Sequence, residues 1–254
     1  MREKFWFLKN CRLFERLEPE QLDWLESRSR MRKFPKGSSI YLPADQSDGV
    51  LLLTDGRVKI SSITGDGKQS IMTFIEPGDV FGELSIFEGG EREEYAEASE
   101  SSSVVLIPAH DLRKVVEENP YLAMGITRLV GLRRKRIERR LKYLLFHSNR
   151  ERLVNLLLEL ARDFGQRKSP DQVDLRIKLS HQDLASIIGS TRESVTVILG
   201  QLQNEGLLQL GRRRISFRNL EKLAASINRP VPHVATTERV AWQSPTRVVG
   251  NALL

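Results

Sequence analysis

Apolar residues recur at helical spacing at both ends of this chain, and between them fall into short runs broken by glycine. Over residues 12–30, Leu13, Phe14, Leu17, Leu22, Trp24 and Leu25 return at helical intervals around Pro19, which predicts a helix. From about 31 to 108 the runs are brief: Ile40-Tyr41-Leu42, Val50–Leu53, Val58–Ile60, Ile71–Ile75 and Val104–Ile107. Lys36-Gly37, Asp55-Gly56, Gly65-Asp66-Gly67, Pro77-Gly78-Asp79 and Gly89-Gly90 punctuate them. Many short strands with regular turn signals predict an antiparallel barrel or roll.

After Pro108 the helical period resumes, with a long helix expected from near Pro120 to about Phe146. Ala123, Val130, Ile137 and Leu144 stand seven apart, flanked by Ile126, Leu129, Leu132 and Leu141. That spacing on so charged a helix predicts a two-stranded coiled coil between subunits. Arg150–Phe164 reads as a further amphipathic helix, and Leu207–Phe217 as a two-stranded wing turning at Gly211. Beyond residue 228 no period is sustained, so 229–254 reads as a mobile tail.

The stretch Leu179–Leu207 reads as two capped helices. Ser180-x-x-Asp183 and Ser190-x-x-Glu193 have the form of capping boxes, and Gly189 suits the left-handed residue between them. Leu184, Ile187 and Ile188 mark the inner face of the first helix; Val195, Ile198, Leu199 and Leu202 mark that of the second. Arg192, Glu193, Thr196 and Val197 are left facing outward. Arginine can grip guanine O6 and N7 in the major groove, and glutamate can accept from cytosine N4. The second helix therefore has the chemistry of a recognition helix on double-stranded DNA.

The chain has 254 residues, and 40 basic against 33 acidic side chains give a formal charge of +7, which admits an anionic partner without choosing one. No apolar run reaches the roughly 18 residues that span a bilayer, and the first ten residues lack a secretion core, so a cytoplasmic protein without membrane association is expected. One cysteine, Cys11, excludes internal disulfides and cysteine-rich metal or iron–sulfur sites, and is expected to be a structural thiol. No phosphate loop, nucleophile elbow or metal-spaced histidine pair points to an enzyme, and no cofactor is expected.

A glycine-punctuated roll, a dimer helix and a C-terminal winged helix–turn–helix resemble the cyclic-AMP receptor/fumarate–nitrate regulator family over about residues 10–228. Pro77–Leu84 (PGDVFGEL) and Leu179–Leu207 carry the resemblance most strongly; Ala161–Gly165 and Gly189–Arg192 look closest to its nitrogen-control and anaerobic branches. The resemblance implies an α+β fold: a roll (10–118), a dimerisation helix (119–147) and a winged helix–turn–helix (150–228). It also implies a homodimeric regulator on a palindromic operator, its two recognition helices entering major grooves about 34 Å apart. RNA polymerase would be a further partner of an activator. In the family's reading pattern Arg192 and Glu193 match, but Val197 stands where a second arginine is usual; valine can only touch a thymine methyl. Ser190, Thr191 and the wing's Arg212, Arg213 and Arg214 are expected at phosphates.

The resemblance places an effector pocket at Gly82, Glu83, Leu84, Ser85, Arg92, Glu93 and Glu94. In the cyclic-nucleotide branch an Arg-Ser pair holds the phosphate. Here Glu93 and Glu94 occupy those places without a gap, and a one-residue shift restores Arg92 but leaves Glu93 beside it. Glu88–Glu100 holds six glutamates and one arginine, a setting that repels phosphate. The adenine-contacting Thr-Ser pair falls near Ile137-Glu138 and is not matched, and Glu94 stands about where the resemblance places the arginine of a 2-oxoglutarate site. Cyclic AMP control is therefore not expected. The dimer helix bears Arg133, Arg134, Lys135, Arg136, Arg139, Arg140 and Lys142, which suggests that the glutamate loop pairs with it in place of a ligand. The alternative is that these cations collect another anionic effector, such as a cyclic dinucleotide.

Overall fold

The computed structural model describes residues 4–9, 11–65, 67, 69–87, 90–169, 172–212 and 214–234, with side chains for all but 4–6, 85 and 86. The chain forms two compact units that divide between Lys135 and Arg136.

The first unit begins with helices α1 (Lys4–Lys9) and α2 (Pro19–Arg28). The single helix expected over 12–30 is thus replaced by turns up to Leu17 and a helix that starts at Pro19, whose missing N–H is harmless at a first helical position. Eight strands follow among the described residues: β1 (Arg30–Phe34), β2 (Ser39–Tyr41), β3 (Gly49–Asp55), β4 (Val58–Ile63), β5 (Gln69–Ile75), β6 (Val80–Phe81), β7 (Tyr95–Ala98) and β8 (Ser102–Pro108). They form two four-stranded antiparallel sheets, ordered β1-β8-β3-β6 and β2-β7-β4-β5. Leu51 and Leu53 point into the roll with Val58, Ile60 and Phe81. Val50 and Leu52, on the opposite face of β3, join Leu22 and Leu25 and meet helix α3 (Ala109–Glu118) through Leu112. Covering both faces of one strand is why Val50–Leu53 is an unbroken apolar run.

The long helix, α4, spans Pro120–Phe146. Leu122 and Ile126 are buried in the first unit's own core, with Leu129 and Val130 packed partly against it. Ile126 is therefore no flank of an intersubunit seam. Tyr121, Met124 and Leu132 are exposed earlier on the helix, and Ile137 and Leu141, one turn apart in its later part, are 52% and 54% exposed.

Cys11 is buried, its thiol donating to the Gly78 carbonyl at 3.4 Å, and burial pushes its pKa up to about 11. The thiolate is the reactive form. A disulfide thiol reagent should therefore label native protein at pH 8 many-fold more slowly than protein in denaturant; labelling at the free-cysteine rate would contradict this burial.

In the second unit α5 (Asn149–Phe164) is followed by a hairpin, β9 (Gly165–Ser169) and β10 (Gln172–Leu175). Then come α6 (His181–Ile188), α7 (Arg192–Asn204), β11 (Leu208–Gly211), β12 (Arg214–Phe217) and α8 (Leu220–Ala225). The wing is not an isolated ribbon: the sheet order is β11-β12-β10-β9, and its turn follows Gly211. Arg150 ties α5 to the residue after α7 through Glu205 at 2.6 Å. The segment expected to be a mobile tail begins packed: Arg229 donates to the Tyr143 hydroxyl at 2.7 Å, and Val234 is buried. Residues 235–254 lie outside the described residues. No helix among the described residues is long and apolar enough to cross a membrane.

Candidate nucleic-acid interface and roll pocket

At the start of α6 Ser180 and Asp183 form the expected box: Ser180 N–H donates to the Asp183 carboxylate at 2.8 Å, and Asp183 N–H donates to Ser180 Oγ at 3.1 Å. Gly189 ends the helix at φ +64°, and a Cβ there would stand 2.9 Å from Leu144 Cδ2. The second box differs from the sequence reading. Thr191, not Ser190, is the N-cap of α7; its hydroxyl accepts from Ser194 N–H at 3.2 Å. The Ser190 N–H instead donates to the Ala185 carbonyl, closing the end of α6. The shift of one residue relieves Glu193 of any capping role.

Leu184, Ile187 and Ile188 of α6 and Val195, Ile198, Leu199 and Leu202 of α7 are buried, as their spacing requires. Arg192 and Glu193 are exposed in the first turn of α7, and neither side chain has a hydrogen bond or ion pair among the described residues. Val197 is 59% exposed on the same helix. Thr196 is exposed but engaged: its Oγ1 lies 2.8 Å from the Arg192 carbonyl and 2.8 Å from His181 Nδ1. On the wing Arg212 and Arg214 are exposed, while Arg213 lies outside the described residues. A cleft of about 420 Å³ runs between the start of α6, Arg192 and the wing strands, with Ser180, His181, Gln182 and Arg214 in its lining. His181 has no place in the sequence reading; an imidazole at the first position of the first helix was the available signal.

The residues expected around an effector are occupied with one another. Gly82 sits at φ +68°, and a Cβ on it would meet Arg92 Nη1 at 2.4 Å. Arg92, only 8% exposed, donates from Nη1 to the Gly82 carbonyl at 3.0 Å and from Nη2 to the Gly49 carbonyl at 2.5 Å. Its guanidinium lies over the Tyr41 ring, 4.7 Å from the centroid. Glu83 begins a 3-10 turn (Glu83–Ile86), is 6% exposed, and is ion-paired with Arg133 of α4. Arg133 also donates to the Val80 carbonyl at 2.5 Å.

Glu94 accepts from the Tyr41 hydroxyl at 3.4 Å. Burial, and then the neighbouring charge of Glu83, hold its carboxyl above the usual range, against the pull of Arg133 and Arg92. The carboxyl groups of Glu83 and Glu94 and the guanidinium groups of Arg92 and Arg133 therefore lie together where the roll meets α4. Leu84 and Glu93 point to solvent, and the Ser85 side chain lies outside the described ones.

Where the sequence predicts an interlock between the glutamate loop and the arginine helix, the structure pairs Glu83 with Arg133 and sets Glu94 beside them. Glu100 pairs with Arg57 at 2.6 Å and Glu97 with Lys59 at 3.3 Å, inside the roll, whereas Arg139 pairs with Glu159 of α5 at 3.4 Å. Glu83 precedes the loop, and its fit to Arg133 depends on how the roll meets α4.

Residues 31–119 match the family of cyclic nucleotide-binding domains and residues 151–226 the Crp-like helix-turn-helix domain. The global nitrogen regulator of Synechococcus elongatus is 33% identical over 192 residues, 75% of this chain and 86% of that protein. The CRP-like cAMP-activated global transcriptional regulator of Mycobacterium tuberculosis is 26% identical over 217 residues, 85% of this chain and 96% of that one. The solved structure of the c-di-GMP-responsive global regulator CLP of Xanthomonas campestris shares the fold, with a TM-score of 0.70 at 20% identity over 80% of this chain and 100% of that chain.

Proposed function

The chain belongs to the cyclic-AMP receptor/fumarate–nitrate regulator (Crp/Fnr) family of DNA-binding transcription regulators, and on that premise we propose that it acts as a homodimer on a palindromic operator without a cyclic nucleotide effector. The observation that carries the ligand-free reading is the Glu83–Arg133 pair. A family relative named as cAMP-activated gains its active state from a ligand; here a carboxylate of the roll and a guanidinium of α4 make their own contact. A nucleotide phosphate entering that space would meet Glu83 and Glu94, and would find Arg92 already bonded to two backbone carbonyls.

Dimerisation is supported by the uncovered Ile137 and Leu141 on α4, since contiguous exposed apolar surface on a helix calls for a partner. Base reading is assigned to Arg192 on a guanine and Glu193 on the cytosine of the complementary strand, with Val197 confined to a methyl contact. Ser190, Thr191, Arg212, Arg213 and Arg214 are assigned to phosphates, which set register and salt dependence.

The test is selection of bound sequences from a random duplex pool by effector-free protein, followed by titration of cyclic AMP, 2-oxoglutarate and cyclic di-GMP. The expected product is an inverted repeat with half-sites one helical turn apart, bound with an affinity that none of the three ligands changes. Enrichment only in the presence of cyclic di-GMP would replace effector independence by gating through an anionic ligand. Enrichment of asymmetric sites would refute the homodimer.

A further inference from the structure

His181, the first residue of α6, is bonded through Nδ1 to the Thr196 hydroxyl on the recognition helix. Thr196 in turn lies 2.8 Å from the Arg192 carbonyl, one turn back. A hydroxyl has one proton, and a carbonyl can only accept. Thr196 therefore donates to Arg192 and accepts from His181, which fixes the imidazole hydrogen on Nδ1. In the neutral ring Nε2 is then a bare lone pair, and it has no partner among the described residues.

The ring lines the cleft between α6, α7 and the wing. The charged groups that share this setting are Arg192 from α7 and Arg214 from β12, both cationic; Asp183, on α6 itself, is engaged by Ser180. A cleft edged by two arginines suits a phosphate oxygen. A bare nitrogen there opposes that oxygen, while a protonated one donates a charge-assisted hydrogen bond to it.

Resting on the reading of this face as a DNA interface, we infer that His181 is a proton-dependent phosphate contact: its tautomer is set by Thr196, and operator binding takes up one proton per protomer from solvent at Nε2. Binding favours the charged ring, so the gain is larger at low pH and is lost as pH rises. One more neutralised phosphate at 0.1 M salt is worth about eight-fold in affinity, or about sixty-fold for two half-sites.

The experiment measures operator affinity at pH 5.5 and pH 8 over a salt series for the wild type, His181→Gln and His181→Arg. The wild type should bind tens of times more tightly at pH 5.5, with a log–log salt slope steeper by about 0.9 per half-site. His181→Gln should lose that difference, and His181→Arg should keep the tight, steep behaviour at both pH values. A wild-type pH gain retained in His181→Gln, or His181→Arg binding no tighter than His181→Gln at pH 8, would overturn the inference while leaving DNA binding intact. If the wild type selects no operator at either pH, the interface reading falls and takes this inference with it.

Discussion

Replacing Arg192 by alanine should collapse the preference for operator over unrelated duplex while leaving the fold untouched. A bidentate arginine–guanine contact discriminates by about 1–3 kcal/mol. Two half-sites double that to about 2–6 kcal/mol, a loss of between roughly thirty-fold and twenty-thousand-fold in the specific-to-nonspecific ratio. Stability should move by less than about 0.5 kcal/mol, because the side chain is exposed and partnerless, and a cation at a helix start opposes the macrodipole. Arg192→Lys should recover salt dependence but not discrimination, since a point charge lacks the fork that matches O6 and N7. Arg214→Ala on the wing provides the contrast: it should weaken both duplexes alike and lower the salt slope by about 0.9 per half-site. Competition anisotropy with operator and scrambled duplex separates these outcomes. An Arg192→Ala protein with an undiminished ratio would remove this residue from base reading.

What the sequence makes legible, and what it hides, follows from the range of the interactions involved. Short-range patterns survive translation into structure. The Val50–Leu53 run becomes a strand covered on both faces, and the apolar positions of Leu179–Leu207 are buried as a helix–turn–helix demands. Ser190 and Thr191 are both acceptable caps, and choosing between them depends on how α6 closes; the Ser190 N–H is drawn to Ala185, which leaves the cap to its neighbour. The β9–β10 hairpin carries a clear signal that a helical reading of its surroundings overlooks: Val173, Leu175, Ile177 and Leu179 alternate with Asp174, Arg176 and Lys178, and all four are buried. Ile126 is different, because heptad spacing cannot tell a partner helix from a roll on the same side. The roll pocket is least legible of all. Nothing local announces that Arg92 will turn inward onto the Gly49 and Gly82 carbonyls, or that Arg133 is the basic residue of α4 that reaches Glu83, 50 positions earlier.

Arg133→Met on α4 should strongly destabilise the first unit. It leaves Glu83 buried without its cation and the Val80 carbonyl without its donor. Breaking a buried pair from one side costs about 3–5 kcal/mol. Arg133 keeps 26% of its side chain exposed, so water can partly compensate and the lower end applies: about 3 kcal/mol, or roughly 10 °C in the melting of the first unit. Glu83→Gln should cost less, because the amide oxygen still accepts from the guanidinium. The decisive protein is the double variant Glu83→Leu with Arg133→Met. Removing both charges removes the orphan, so stability should return to within about 1 kcal/mol of the wild type. If the pair replaces an effector, operator affinity should nevertheless stay at least about tenfold below wild type, a difference of about 1.4 kcal/mol, because apolar packing restores burial but not the directed contact between the roll and α4. Melting curves and operator titrations on the same four proteins therefore separate the pair as a packing element from the pair as a lock. A double variant that melts and binds like the wild type would leave Glu83–Arg133 as packing alone, and would reopen the search for what makes the ligand-free regulator competent.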